Sequence, residues 1–239
     1  MQGLKQEFKQ MKDKMARMQE SCSEKTADGL VNCLPDEVPI YGRSEEISVV
    51  IEAVQTERVA AVVITGGPGF GKTTVAKKVA HELVAHQRCK NTVLFCPLRS
   101  KTTVFDVATS MILACSKNHS QPPENPQHWL LNWSKQLTEN VTFVLDNADD
   151  VLESDERTQF GSILRDMRIL SGQKVTFVVT TRRVFKDSSL KMKEVRLKAL
   201  SLEESKKVLV TRLPDQSLQK DLCKTEKQPE LCGCVPLAL

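Results

Sequence analysis

The stretch Gly66-Gly67-Pro68-Gly69-Phe70-Gly71-Lys72-Thr73-Thr74 holds the residues best suited to chemistry. It fits the spacing G-x-x-x-x-G-K-[ST], with Gly66, Gly71, Lys72 and Thr73 in the fixed positions. Glycines so spaced let backbone N–H groups curl around a phosphate without side-chain collision. Gly67, Gly69 and Thr74 complete the expected cradle. Lys72 is placed to reach the β- and γ-phosphates of a nucleotide, and the Thr73 hydroxyl to hold Mg²⁺. A second half of the site is needed to complete the metal position. Asp146 closes the apolar run Phe143-Val144-Leu145, where a Walker B aspartate stands, so Thr73 and Asp146 are the expected Mg²⁺ pair. Asn147 follows where many active ATPases carry a second acid that polarises water, with Asp149 and Asp150 close enough to substitute. These residues support nucleotide binding more strongly than fast hydrolysis. Thr180-Thr181-Arg182-Arg183 ends another apolar run, and an arginine there can reach a γ-phosphate. Lys72, Asp146 and Arg182 are thus the residues expected to act on the triphosphate.

Such residues must be positioned by strands and helices. Val59 to Thr65, directly before the glycine loop, is a continuous apolar run of strand length, and residues 75–84 after it have helical spacing. Residues 92–96, 141–146 and 175–180 read as further strands, and 195–197 as a short fifth. Helices are expected over about 103–115, 127–137 and 155–170, and Ser44 is expected to cap a helix that leads into the first strand. Leu170-Ser171-Gly172-Gln173 reads as a helix stop with Gly172 after the C-cap. Apolar strands alternating with helices predict an α/β fold: a parallel sheet with helices on both faces. From Ser201 the texture changes: Ser201-Leu202-Glu203-Glu204 is a capping box, and a small all-helical subdomain is expected to begin. Residues 4–18 carry a stripe of Leu4, Phe8, Met11, Met15 and Met18 at helical spacing. The expected division is 1–36, an amphipathic helix and linker; 37–200, the nucleotide-binding domain; and 201–239, part of a helical lid. A helix is expected to be starting at the C-terminal end, as in a fragment of a longer protein or a short gene product.

Composition narrows the classes. The chain has 239 residues, 40% of them hydrophobic, which suits a globular domain with a core. Its net charge of +4 is too modest to argue for nucleic acid, and the basic stretch 186–198 lacks aromatics and includes acids. No apolar run approaches the roughly eighteen residues of a membrane span, and the polar N-terminus lacks a signal-peptide core. Eight cysteines without a secretion signal read as reduced thiols, which places the protein in the cytoplasm. Cys223, Cys232 and Cys234 do not have a zinc spacing.

Taken together, the motifs resemble the NB-ARC group of STAND nucleotide switches, which includes apoptosome adaptors, plant disease-resistance proteins and animal relatives with repeat domains. The resemblance spans roughly residues 37–239. Tyr41-Gly42-Arg43 resembles the motif that lies against the nucleotide, GGPGFGKTT is close to that group's own phosphate loop, and Leu145-Asp146 resembles its Walker B strand end. Thr180-Thr181-Arg182 resembles its T-T-R sensor, and Cys234-Val235-Pro236-Leu237-Ala238 its G-L-P-L-A motif, with Cys234 in place of glycine. The resemblance implies ATP or ADP with Mg²⁺ as ligands, and Tyr41, Arg43 and Pro236 around the base and sugar. It implies a switch for signalling or innate-immune-like assembly, with slow or absent ATP hydrolysis. Protein partners or self-assembly in the ATP state are expected, and neither nucleic acid nor membrane. Two other functions fit the residues: an AAA+-like ATPase acting in a ring, with Arg183 reaching across a subunit boundary, and a non-hydrolysing interaction scaffold. A GTPase is excluded for want of an N-K-x-D motif.

Overall fold

A computed structural model describes residues 30–85, 91–115, 123–212 and 233–236. Asn32–Leu239 is one compact unit, and the fold below is that of this unit; Met1–Val31 is another. The stripe expected over residues 4–18 lies outside the described residues, as do Cys223, Cys232, Leu237 and Ala238.

The unit alternates as the pattern predicts. Helix α1 (Ser44–Gln55) leads to β1 (Ala61–Thr65), and the glycine loop joins β1 to α2 (Lys72–Ala85). There follow β2 (Asn91–Pro97), α3 (Val104–Cys115), α4 (Pro126–Lys135) and β3 (Asn140–Asp146). Then come α5 (Asp149–Glu153), α6 (Arg157–Leu170), β4 (Val175–Thr181), β5 (Met192–Arg196) and α7 (Leu202–Arg212). The strands form one parallel sheet in the order β2-β3-β4-β1-β5. So β4 lies between the strand that feeds the glycine loop and the strand that ends in Asp146. Thr65 is level with Thr181, and Leu145 with Val179, so the three motif-bearing strands end at one edge of the sheet.

Strands buried on both faces need continuous apolar runs, and β1 and β4 are buried at every residue. One face packs Val62, Ile64, Val93, Phe95, Val144 and Val178 against Val50 of α1 and Val75, Val79 and Leu83 of α2. Side chains alternate along a strand, so Phe143 points the other way; it stacks on Phe177 at 6.0 Å and takes the edge of Trp133 from α4 at 5.9 Å.

Several local expectations change. Ser44 is not a cap: it is the first residue of α1, and Arg43 stands at the cap position with φ 69° and no side-chain cap bond. The helix expected from 155 is preceded by α5, and Ser154 between them is extended. The fifth strand is Met192–Arg196, not 195–197; as an edge strand it needs only one buried face, so Lys193, Glu194 and Arg196 hide it from an apolar-run search. Cys33 pairs with the outer side of β2, its N–H donating to the Val93 carbonyl at 3.0 Å, within a segment that reads as linker. The helix stop is as expected. Gly172 (φ 61°) donates to the Ile169 carbonyl and Gln173 to that of Arg168, the Schellman arrangement. The Ser201–Glu204 box is also present, with the Ser201 N–H donating to Glu204 Oε2 at 2.9 Å and the Glu204 N–H to Ser201 Oγ at 3.2 Å. No helix among the described residues is long and apolar enough to cross a membrane.

Candidate functional site

The glycine loop has the shape its residue types allow. Gly69 (φ 78°) and Gly71 (φ 84°) take left-handed conformations that side chains disfavour. Lys72 opens α2, and its Nζ donates to the carbonyls of Gly66 and Gly67, both at 2.9 Å. Burial lowers the lysine's pKa, the charge of Asp149 works against that, and Arg182 adds to it. These three charges therefore share one neighbourhood. The N-terminus of α2, a helix of 14 residues, faces the loop, where its exposed N–H groups and dipole favour an anion.

At the end of β3, Asp146 is 8% exposed, and its Oδ1 accepts from Thr73 Oγ1 at 3.0 Å and Thr180 Oγ1 at 2.7 Å. Burial raises its pKa, and the two hydroxyls pull it partly back. Asn147 has φ 64°, a conformation asparagine tolerates, and its N–H donates to Thr180 Oγ1 at 2.7 Å. A hydroxyl and a carboxylate meeting at one point form an oxygen donor pair that suits a hard cation such as Mg²⁺, which completes its shell with phosphate oxygens and water. No cluster of three or more His, Cys, Asp or Glu among the described residues forms an all-protein metal cage.

The neighbouring acids have other partners. Asp149 Oδ1 accepts from Thr181 Oγ1 at 2.8 Å and from the Arg182 N–H at 2.6 Å, while Oδ2 pairs with Arg182 Nε at 2.8 Å. Asp150 Oδ2 accepts from the Ser100 N–H at 2.7 Å. Asp149 is thus held against the end of β4, and Asp150 turns one oxygen to the Ser100 turn. Arg183 turns to the surface and pairs with Glu153 at 2.7 Å.

A cavity of about 430 Å³ adjoins the loop. Its walls bring together Tyr41 and Arg43, Gly71 and Thr74 of the loop and α2, and Pro236. A Cβ on Gly71 would lie 4.0 Å from Pro236 Cγ, so the proline sits over the loop. Its segment is tied in by the Leu200 N–H, which donates to the Cys234 carbonyl at 3.0 Å. Cys234 has φ 53°, so it keeps the left-handed backbone that the glycine of the resembling motif would take freely. Arg43 lines the cavity but is 7% exposed, and its guanidinium is committed to protein: Glu46 at 2.8 Å, the Lys198 carbonyl at 2.5 Å and the Phe70 carbonyl at 3.4 Å. Leu200, Val208 and Thr211 form a wall that sequence reasoning missed. The one signal for it is the i, i+3 spacing of Val208 and Thr211 on α7.

Residues 56–184 match the AAA domain family. Over 133 residues, 52% of this chain, the sequence is 28% identical to the uncharacterized WD repeat-containing protein alr2800 of Nostoc sp., of which it spans only 10%. Among solved structures, the chain is similar to Drosophila ORC bound to DNA (TM-score 0.58, 14% identity, 81% of this chain and 52% of that one). It is also similar to the Aeropyrum pernix ORC1 protein in complex with DNA (TM-score 0.58, 20% identity, 75% and 51%). A third is the Walker-type ATPase PABY2304 of Pyrococcus abyssi (TM-score 0.55, 14% identity, 87% and 67%). The chain thus spans about half of the ORC chains, and at these identities the likeness is one of fold. The matched family segment runs from the turn before β1 to just past Arg182, more than half of the sequence and all of the strand ends that carry the site: the chain belongs to the AAA domain family, with the parallel sheet of a P-loop NTPase.

Proposed function

We propose that this chain is an adenine-nucleotide switch of the STAND type, resembling the NB-ARC group in its motifs, which binds ADP or ATP with Mg²⁺ and hydrolyses ATP slowly or not at all. The observation that carries this reading is the cavity beside the loop. Three stretches far apart in sequence, 41–43, 71–74 and 236, meet on it, and its volume suits a nucleoside. In this reading Gly66, Gly67, Gly69 and Gly71 cradle the phosphates and Lys72 grips them. Thr73 and Asp146 hold Mg²⁺, which when bound would neutralise phosphate charge. Thr74 and Tyr41 flank the sugar and base, Pro236 covers them, and Arg43 acts from behind by fixing the loops that form the wall. Arg182 contacts the terminal phosphate, so ATP and ADP differ by the contacts of one phosphate. Each charge-assisted hydrogen bond is worth about 1.5–3 kcal/mol, so two or three are enough to invert a two-state population. Slow turnover follows from Asn147 and from the commitment of Asp149 to Thr181 and Arg182. The relative that carries WD repeats suits a nucleotide module within a longer repeat-containing chain, and partners or self-assembly in the ATP state follow from such a role. The proposed division of the unit is 37–200 for nucleotide binding and 201–239 for the start of the lid.

A ring-forming ATPase is the second reading, favoured by the AAA family match itself. Releasing the bound nucleotide by denaturation and separating it by ion exchange distinguishes the two. A switch yields stoichiometric ADP, and the Lys72→Ala protein yields none. Steady turnover by wild-type protein with no retained nucleotide would favour the ring, and ADP affinity unchanged in Lys72→Ala would remove the site altogether.

A further inference from the structure

We infer that Asp149 is a positioning residue: it holds Arg182 by the inner edge of its guanidinium, aims the outer fork at the terminal phosphate, and so sets the preference for ATP over ADP. This rests on the reading of the phosphate loop and Arg182 given above.

Asp149 is 4% exposed at the start of α5; its side chain accepts two hydrogen bonds at Oδ1, from Thr181 and the Arg182 N–H, and leaves Oδ2 with only the charge of the Arg182 guanidinium beside it. A carboxylate is costly to bury unless its oxygens are satisfied by such partners. Oδ1 fixes the backbone at the end of β4 through Thr181 Oγ1 and the Arg182 N–H. Oδ2 then lies 2.8 Å from Nε of the same arginine, an ion pair held by charge and proximity, because the buried Oδ2 receives no aligned hydrogen bond. The contact uses Nε, the inner nitrogen of the guanidinium, while the Arg182 side chain is 56% exposed. The two terminal nitrogens of its fork are thus left toward solvent, in the planar geometry that suits two phosphate oxygens.

The direction is set by the sheet. Thr181 is level with Thr65, the last residue before the phosphate loop, so the arginine emerges beside the loop and not at the far end of β4. Lys72 feels the charges of Asp149 and Arg182, which places all three in one field. Arg183 is the contrast. Its partner Glu153 is half-exposed, and the pair lies on the surface. Of the two adjacent arginines, only Arg182 is held by a buried acid. Thr180 and Thr181 play parallel parts: the first hydroxyl holds Asp146 on the metal side, the second holds Asp149 on the arginine side.

The test measures Mg²⁺-ATP and ADP affinities of the whole chain by calorimetry, for wild type, Asp149→Asn, Arg182→Ala and the double variant, with a thermal melt of each. Asparagine keeps an oxygen for Thr181 and the Arg182 N–H but carries no charge to pair with the guanidinium at Nε, so it isolates the aiming contact. Asp149→Asn is expected to weaken ATP binding roughly tenfold and leave ADP within about twofold. Arg182→Ala should do the same, and the double variant should bind ATP no more weakly than Arg182→Ala alone. Equal losses for ATP and ADP in Asp149→Asn, full ATP affinity in that variant, or additive losses in the double variant would each overturn the assignment. If Arg182→Ala leaves the ATP to ADP ratio unchanged, the arginine has no phosphate role and Asp149 none through it. A wild-type chain that binds neither nucleotide refutes the proposed function itself, a different result from any of these.

Discussion

Asp146 is an acid held where water reaches it poorly, and its protonation behaviour separates stability from function. Burial lifts its pKa above 3.8, with Thr180 and Thr73 opposing, so the folded state binds this proton more tightly than the unfolded chain does. A raised carboxylate pKa favours folding at low pH, and the advantage turns into a penalty as pH rises from 3.8 through the folded value. At neutral pH the ionised group is therefore a standing penalty in the protein without ligand. Asp146→Asn is expected to melt at a higher temperature than wild type at pH 7, with the gap closing as pH falls into the carboxylate range. The same variant should lose Mg²⁺-ATP affinity more than metal-free ADP affinity. Thermal melts across pH with paired calorimetry check this; a lower melting temperature at pH 7 would mean that the two hydroxyl bonds outweigh the desolvation. The phosphate loop was legible at this scale because its whole logic lies within nine consecutive residues. The partners of Arg43 and Asp149 were not, although both residues were singled out, because those partners come from afar: Arg43 reaches a carbonyl 155 positions on, and Asp149 a hydroxyl 32 positions on. Spacing within one stretch carries no trace of such contacts.

Elements were legible where their pattern was unambiguous and obscure where tertiary contacts decide. The buried strands announce themselves by continuous apolar runs, whereas α5, with five residues, is too short to show a period. The capping box of α7 is local chemistry and was readable; what α7 rests against was not. Gly42, at φ 71°, has no room for a side chain, since a Cβ there would fall 2.2 Å from Glu204 Oε1. Glu204 is the same residue that closes the capping box, so the helix and the Tyr41-Gly42-Arg43 turn share one joint. Gly42→Ala must adopt the left-handed backbone and push the carboxylate aside. The flexible end of Glu204 can move, so strain is the larger part, about 1 kcal/mol or somewhat more. A modest fall in melting temperature is expected, with a larger proportional loss of ADP affinity, because moving Glu204 loosens the capping box of a helix that walls the cavity. A melt with a parallel ADP titration tests it. Stability lost with ADP affinity intact would show that α7 does not shape the base end of the site.

At the scale of the molecule, the sheet gathers the motifs and the cavity joins the parts. The strand order puts Thr65, Thr181 and Asp146 at one edge, and a sequence cannot show that order, since nothing in the run Val175–Thr181 says that β4 inserts between β1 and β3. The alternation of strands and helices predicted the class; the insertion is a fact of packing. The cavity draws on residues 38–43, 70–75, 200–211 and 236, whereas β3 and β4 are buried along nearly their whole length and lie away from its walls. A ligand bound there should therefore stabilise the walls against local opening without altering the central strands. At a hundredfold excess over its dissociation constant, a ligand adds about 2.7 kcal/mol to any opening that releases it, which slows amide exchange up to roughly a hundredfold. Hydrogen exchange with saturating ADP and Mg²⁺ is expected to show this slowing in residues 38–43, 70–75 and 200–211, the last including α7, and little change in β3 and β4. Replacing ADP by ATP should add protection at 180–182 if, as proposed, the arginine meets the extra phosphate. Protection confined to 66–74 would mean that the loop grips a phosphate while the cavity takes no part. The chain would then be a phosphate-binding fold without the lid contact on which a nucleotide switch depends.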